Sequence, residues 1–323
     1  MSLHPASRAD REMIPAMCID DAAKFGRVGL VVGGESAERE VSLNGGRAVS
    51  AALARLGIEH DVYDGALELF EGIRDGRVDR VFNLIHGPDG EDGSLQGALQ
   101  LMKVPVTGAD MKSSALTMDK VRSKWIWERL GISTPPFELF RSGENDFGRA
   151  VGRFGFPMFV KPSGLGSSIG ISRVEEEAEL EQAVSLARRY GKVVMIEPEI
   201  EGGEYFCGVI GDMTLPLIKI ETPRAFYDYE AKYESSETRY YCPCGLDPDT
   251  ELRLREQALR AYQVLGVSGW GRVDFLLDSG GEPWFLEVNT IPGMTDHSLV
   301  PQEAEQVGIG FDELVWRILE TSV

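Results

Sequence analysis

Two apolar runs near the C-terminus, Gly271–Leu277 and Pro283–Asn289, carry Arg272, Asp274, Glu287 and Asn289 at alternate positions. Side chains alternate faces along a strand, so these four share one surface when the runs pair as a hairpin. With Gly280-Gly281 as a two-residue turn, the register sets Asp274 opposite Glu287 and Arg272 opposite Asn289. The other face then pairs Val273 with Val288, Phe275 with Leu286 and Leu277 with Trp284. Directly opposed carboxylates repel. A divalent cation removes that repulsion, and two carboxylates with one amide oxygen, completed by water and nucleotide phosphate, suit Mg²⁺. An ordinary amphipathic hairpin with a solvated acidic face is the alternative. On the metal reading, Asp274→Asn or Glu287→Gln abolishes turnover and, by relieving repulsion, raises thermal stability without metal.

A second candidate is the run from Lys161 to Gly170, in which a cation at the end of an apolar strand precedes Gly164, Gly166, Ser167, Ser168 and Gly170. Small residues let backbone N–H groups approach an anion, which predicts a phosphate-binding loop; a plain surface hairpin is the competing reading. The spacing is neither that of the P-loop nor that of the dinucleotide fingerprint. Lys120, read alone, is a solvated lysine. Glu197 closes an apolar strand and Glu204 follows Gly202-Gly203, positions from which carboxylates can accept from an adenine amino group or ribose hydroxyls, or simply face water. The polar stretch 225–246 holds Tyr227, Tyr229, Lys232, Tyr233, Tyr240 and Tyr241. A loop of that length in a compact domain is commonly a lid, with a disordered insertion as the alternative.

The elements that must position these groups are legible in outline. Strand Val28–Val32, Gly33-Gly34, a helical run and strand Arg80–Ile85 spell a parallel α/β unit. From about residue 110 the pattern becomes α+β, with a helix from Met118 to Leu130, strands at 157–161 and 193–197, a helix over 175–190, strands near 207–210 and 215–220, and a helix over 250–265. Four segments are expected: a flexible arm over 1–25, an N-terminal α/β domain over 26–108, a central domain over 109–197 and a C-terminal domain over 198–323. A net charge of −19 over 323 residues argues against nucleic acid or an anionic membrane as the main partner. No run reaches the length of a membrane span and no signal-peptide pattern opens the chain, so a cytoplasmic location is expected. Cys18, Cys207, Cys242 and Cys244 read as free thiols of a reducing compartment.

Taken together, the motifs are specific. Residues 33–42, His86–Gly93, Met118–Lys120, the Lys161 loop, Phe226–Tyr233, Gly269–Asp274 and Glu287–Leu299 stand in the order found in the D-alanine:D-alanine ligases. The resemblance covers about residues 26–323. It implies a three-domain ATP-grasp fold of α/β and α+β character, its N-terminal domain built on a Rossmann-like parallel sheet. It further implies ATP-dependent ligation of two D-alanines through an acyl phosphate for peptidoglycan precursors, with Mg²⁺ or Mn²⁺, two ions per site, and a homodimer. By resemblance, Lys120, Lys161, Ser167 and Ser168 hold ATP phosphates, Glu197 the adenine amino group and Glu204 the ribose. Glu199 and Ile200 complete the nucleotide site, Glu199 standing where the family carries an aromatic residue. Asp274, Glu287 and Asn289 take the metal. Glu38 and His86 receive the first D-alanine, while Gly293, Ser298 and Leu299, with Lys232, receive the second. Arg272 neutralises the moving phosphoryl group, and Glu38, Ser167 and Tyr233 form a hydrogen-bonded triad under the lid. Ester-forming relatives tend to replace the residue matching Tyr233, so this tyrosine favours a dipeptide over D-lactate as second substrate. A related ligase with another second substrate, or a nucleotide sensor without turnover, are the competing readings.

Overall fold

The computed structural model describes residues 14–164, 170–222, 238–295 and 297–323. Strand β1 (Val28–Val32) is buried at every position, as a strand covered on both faces must be. Gly33 and Gly34, at φ 81° and 82°, turn the chain with backbone angles that other residues rarely adopt. Helix α1 (Arg39–Arg55) follows, then β2 (His60–Asp64), α2 (Ala66–Arg74) and β3 (Arg80–Asn83). The three strands form a parallel sheet ordered β2-β1-β3.

After α3 (Ser94–Met102) comes α4 (Met111–Met118), which was not expected, and then α5 (Lys120–Arg129), which matches the expected helix of 118–130 but starts two residues later. Asp119 between them is extended, and its carboxylate accepts from the Arg122 N–H at 3.0 Å, so it caps the second helix. Lys120 is therefore the first residue of a new helix. Strand β4 (Glu138–Arg141), α6 (Gly148–Phe154), β5 (Met158–Pro162), β6 (Ser172–Val174), α7 (Glu177–Arg188) and β7 (Val193–Pro198) make an antiparallel sheet ordered β4-β7-β5-β6. Its core includes Phe140, Val160, Leu180 and Ile196.

Strands β8 (Gly202–Ile210), β9 (Met213–Thr214), β10 (Ile218–Glu221) and β11 (Arg239–Tyr241) precede α8 (Pro248–Gln263), β12 (Trp270–Asp278) and β13 (Pro283–Asn289). They build a second antiparallel sheet, β11-β10-β8-β12-β13, with β9 beside β8. Helices α9 (Leu299–Gln306) and α10 (Phe311–Glu320) then return to the first sheet, where Leu314, Val315 and Ile318 share a core with Leu30, Val49 and Phe82.

Three packing facts differ from the sequence reading. Residues 14–25 are not an arm: Ile19 and Phe25 are buried, the Ile19 N–H donates to Glu320 Oε1 at 2.6 Å, and Phe25 meets Trp316 edge-on at 5.0 Å. Residues 1–13 lie outside the described residues. Helix α5, expected with the central sheet, bridges both: Val121 packs with Met195 of that sheet, while Trp127 contacts Phe285 of the six-stranded one and donates to the Ala261 carbonyl at 2.9 Å. The third concerns the hairpin. Asp274 does face Glu287 and Arg272 does face Asn289, but beyond Asp274 the register shifts, so Phe275 faces Phe285 and Leu277 faces Pro283. The turn is one residue longer than expected, because Asp278 pairs with Glu282 and its carboxylate accepts from the Gly280 and Glu282 N–H groups. Leu286 is the extra residue of a bulge. The longer turn and the bulge cancel, which restores the carboxylate pair.

Candidate active site

Two adjoining cavities, of about 540 and 580 Å³, share Lys120 and Glu287 in their walls. At that junction the opposed carboxylates of the hairpin do not face each other bare. Arg272 is two residues before Asp274 on the same strand face and grips it with two bonds of 2.6 Å, its guanidinium lying 5.1 Å over the Phe206 ring. Lys120, delivered by the start of α5, lies 2.5 Å from Glu287. Burial by itself would lower the Lys120 ammonium, but Glu287 and Asp274 outweigh it and hold it above the usual lysine range. Asp274 is only 3% exposed.

These residues fit a hard divalent cation. Among the described residues no group of three or more His, Cys, Asp and Glu forms an all-protein metal cage. Two carboxylates and the Asn289 amide oxygen instead leave coordination positions for water and phosphate, as Mg²⁺ prefers. The Asn289 oxygen accepts from the Ile291 N–H at 3.0 Å, which fixes the side chain and still leaves a lone pair.

The larger cavity lies between the two antiparallel sheets and gathers Lys161, Glu197, Glu199, Ile200, Glu204 and Asp274. Its apolar lining includes Phe159, Ile171 and Met195 from one sheet and Leu276 and the bulged Leu286 from the other. The bulge thus moves Leu286 from its expected core position into the cavity wall. Glu197, 1% exposed, is held by Lys124 at 2.5 Å and Lys161 at 2.6 Å. Burial raises its carboxyl, yet the two lysines outweigh burial and keep it below the usual carboxylate range. With both oxygens engaged, an adenine amino group would compete with two ammonium groups for Glu197. Glu199, in place of an aromatic residue, takes a two-pronged ion pair with Arg173 at 2.9 and 2.8 Å.

The smaller cavity is lined by Glu38, His86, Arg272, Asn289, Gly293, Ser298 and Leu299. Glu38 sits at the start of α1 and His86 just past β3, both at the carboxyl end of the parallel sheet, where α/β folds collect ligands. Burial pushes the His86 imidazolium down against the opposing pull of Glu38, so the ring is neutral. The Ser298 hydroxyl accepts from the Thr295 N–H at 3.0 Å and leaves the first turn of α9 without a side-chain cap. The Leu299 N–H there is suited to a carboxylate. A side chain at position 293 would meet Ser298 Oγ at 2.8 Å, so glycine keeps this wall open.

Ser167, Ser168, Lys232 and Tyr233 lie outside the described residues. Every other candidate from the sequence lines one of the two cavities. Two groups were missed, the buried Lys124 and the half-buried Glu91. Lys124 follows Lys120 by one helical turn, and that spacing was its available signal. Glu91 sits inside the 86–93 motif without an assigned role; burial, with Glu38 next in effect, pushes its carboxyl up to about 8. The folded chain then holds a proton that the unfolded chain releases near the usual value of 4.5, so stability falls as pH rises from about 5 to 8. Glu91→Gln should flatten that decline in a melting series across this range; an unchanged slope would show that Glu91 is ionised throughout.

Family models described as "D-ala D-ala ligase N-terminus" and "D-ala D-ala ligase C-terminus" match residues 60–109 and 126–320. A protein from Methylococcus capsulatus named D-alanine–D-alanine ligase is 52% identical over 94% of this chain and 98% of its own length. The crystal structure of D-alanine–D-alanine ligase from Bacillus anthracis complexed with ATP is 32% identical, with a TM-score of 0.81 over 92% of this chain and 97% of that one. The VanG D-Ala:D-Ser ligase from Enterococcus faecalis is also 32% identical, with a TM-score of 0.80 over 92% of this chain and 99% of that one. With two cavities meeting at a basic and acidic junction, and this likeness along nearly the whole chain, the protein belongs to the D-alanine–D-alanine ligase family.

Proposed function

We propose that the chain joins two D-alanines into D-alanyl-D-alanine with ATP for peptidoglycan precursors, each cavity taking one side of the reaction. The observation that carries this assignment is the shared wall, where Lys120 and Glu287 border both cavities. A phosphoryl donor in the larger cavity and a carboxylate in the smaller one meet at that pair.

A carboxylate is a poor acylating agent. In the first step an oxygen of the first D-alanine carboxylate bonds to the γ-phosphorus of ATP, the bond from that phosphorus to the bridging oxygen breaks, and ADP leaves. In the second, the amine of the other D-alanine attacks the acyl phosphate, the nitrogen loses a proton and phosphate departs. Lys120, Lys161 and the Ser167-Ser168 loop hold the phosphates. Glu199, Ile200 and the apolar wall take the base, and Glu204 the ribose. Arg272, next to the junction, offsets charge on the transferred phosphoryl group and then on the tetrahedral oxyanion. Glu38, with neutral His86 beside it, receives the first ammonium. Ser298 and the Leu299 N–H, with Lys232, receive the second carboxylate. Glu38, Ser167 and Tyr233 close the lid and assist deprotonation of the attacking amine. Asp274, Glu287 and Asn289 would hold Mg²⁺ or Mn²⁺, two ions per site, whose charge neutralises the phosphates when bound.

Among the described residues no helix is long and apolar enough to cross a membrane. Work in the cytoplasm as a homodimer is carried over from the resemblance. Two solved relatives of nearly equal likeness differ in the second substrate that their names give, so the assay must address that choice. Phosphate release from ATP is expected with D-alanine alone, with the dipeptide identified by mass. Faster release, and a mixed product, when D-serine or D-lactate is added would overturn the choice of second substrate. ATP binding without release for any substrate would leave a sensor.

A further inference from the structure

We infer that Lys124 is a positioning residue for the nucleotide: it is the resident counter-ion that lets Lys161 leave Glu197 for a phosphate. The inference rests on the reading that the larger cavity binds ATP. Lys124 is 1% exposed and comes from the second turn of α5. Its ammonium lies 2.5 Å from Glu197 Oε1 and donates to Thr134 Oγ1 at 2.7 Å and to the Pro135 carbonyl at 3.0 Å. Two of the three N–H donors of the ammonium are thus held by Thr134 and Pro135, and its charge is paired with Glu197. Lys161 differs. Both lysines border the cavity, but the Lys161 side chain is 16% exposed against 1% for Lys124, and its hydrogen-bond partner among the described residues is Glu197 Oε2, at 2.6 Å.

The two lysines therefore divide one buried carboxylate unequally. A buried carboxylate that loses its sole cation is strongly disfavoured, whereas one that keeps a buried partner is not. With Lys124 in place, the Lys124–Glu197–Lys161 group carries one positive charge in excess, and Lys161 can swing to a phosphate while Glu197 stays paired. Without Lys124, any move of Lys161 would strand Glu197, so the carboxylate competes with ATP for it. Lys124 also fixes the slot in which this happens. Thr134, which accepts from Lys124, donates to the Phe285 carbonyl on β13 at 2.7 Å, while Glu197 belongs to β7. One ammonium thereby spans the two sheets that enclose the cavity.

The test is calorimetric binding of ATP and steady-state kinetics on full-length wild type, Lys124→Met, Glu197→Gln and the double variant Lys124→Met/Glu197→Gln. Wild type that binds no ATP would remove the functional reading itself, and the inference with it. Given wild-type binding, Lys124→Met is expected to weaken ATP at least tenfold while the KM for D-alanine moves less than twofold. Measured against a Glu197→Gln single variant, so that any contact of residue 197 with the base cancels, Lys124→Met is expected to cost less than threefold in ATP affinity once the competing anion is removed. A merely structural lysine would cost as much with Glu197→Gln as without it. Unchanged ATP affinity in Lys124→Met, or a double variant tenfold weaker than Glu197→Gln, overturns the proposal. If Lys124→Met does not fold, the double variant is compared with Glu197→Gln: a loss under threefold supports the inference, and a tenfold loss overturns it.

Discussion

Asp274→Asn should lower turnover by about 10³-fold and also lower the melting temperature of the ligand-free protein. The first effect follows from losing one anionic oxygen where phosphate charge is managed, an electrostatic role of that general size. The second reverses what the hairpin pattern alone suggests. Read as two bare carboxylates, Asp274 and Glu287 repel, and neutralising one would stabilise the fold. In the folded chain each already has a cation, Arg272 on Asp274 at 2.6 Å and Lys120 on Glu287 at 2.5 Å. Asparagine removes the anion that grips the buried Arg272 with two bonds. Breaking a buried pair costs about 3–5 kcal/mol, and the amide retains one acceptor, so the lower end is expected. That corresponds to a fall of roughly 6 °C. Scanning calorimetry without metal or nucleotide checks it, and a variant melting at or above wild type would show that repulsion outweighs pairing.

Arg272→Met should be as damaging to turnover, about 10³-fold, the lower range for an arginine that offsets transferring phosphoryl charge. Its thermal behaviour should differ in kind. Asp274 loses its two-bonded guanidinium and the ligand-free protein is destabilised, but a divalent cation can now approach the carboxylate without displacing Arg272. Millimolar Mg²⁺ should therefore raise the melting temperature of Arg272→Met more than that of wild type, and should do little for Asp274→Asn. The contrast separates loss of the ion pair from loss of the metal ligand. If Mg²⁺ shifts all three proteins equally, Asp274 is not a ligand.

The elements that the chain spelled clearly are those in which one local rule suffices. An uninterrupted apolar run makes Val28–Val32 a buried strand, and alternation puts Arg272, Asp274, Glu287 and Asn289 on one face. The turn at 278–282 was misjudged because the Asp278 carboxylate claims two backbone N–H groups and lengthens it, and nothing in the apolar pattern announces the compensating bulge at Leu286. The start of α5 was placed two residues early because the Asp119 carboxylate caps the helix and keeps Asp119 itself extended.

For the site, the sequence with its family resemblance named the candidate groups: Lys120 and Lys161, the paired carboxylates Asp274 and Glu287, Glu38 and His86, and the residues around Ser298. Each is fixed by its own strand end or turn, so its type and spacing survive in one dimension. Only the tertiary structure decided who partners whom. Lys124 joins Glu197 across 73 residues because α5 and β7 meet only in the folded chain, and Glu91 becomes a proton-holding acid because burial, with Glu38 next in effect, raises its carboxyl. Burial and charge partnership are properties of the assembled fold, and they decide whether opposed carboxylates are a liability or a pair of occupied sockets.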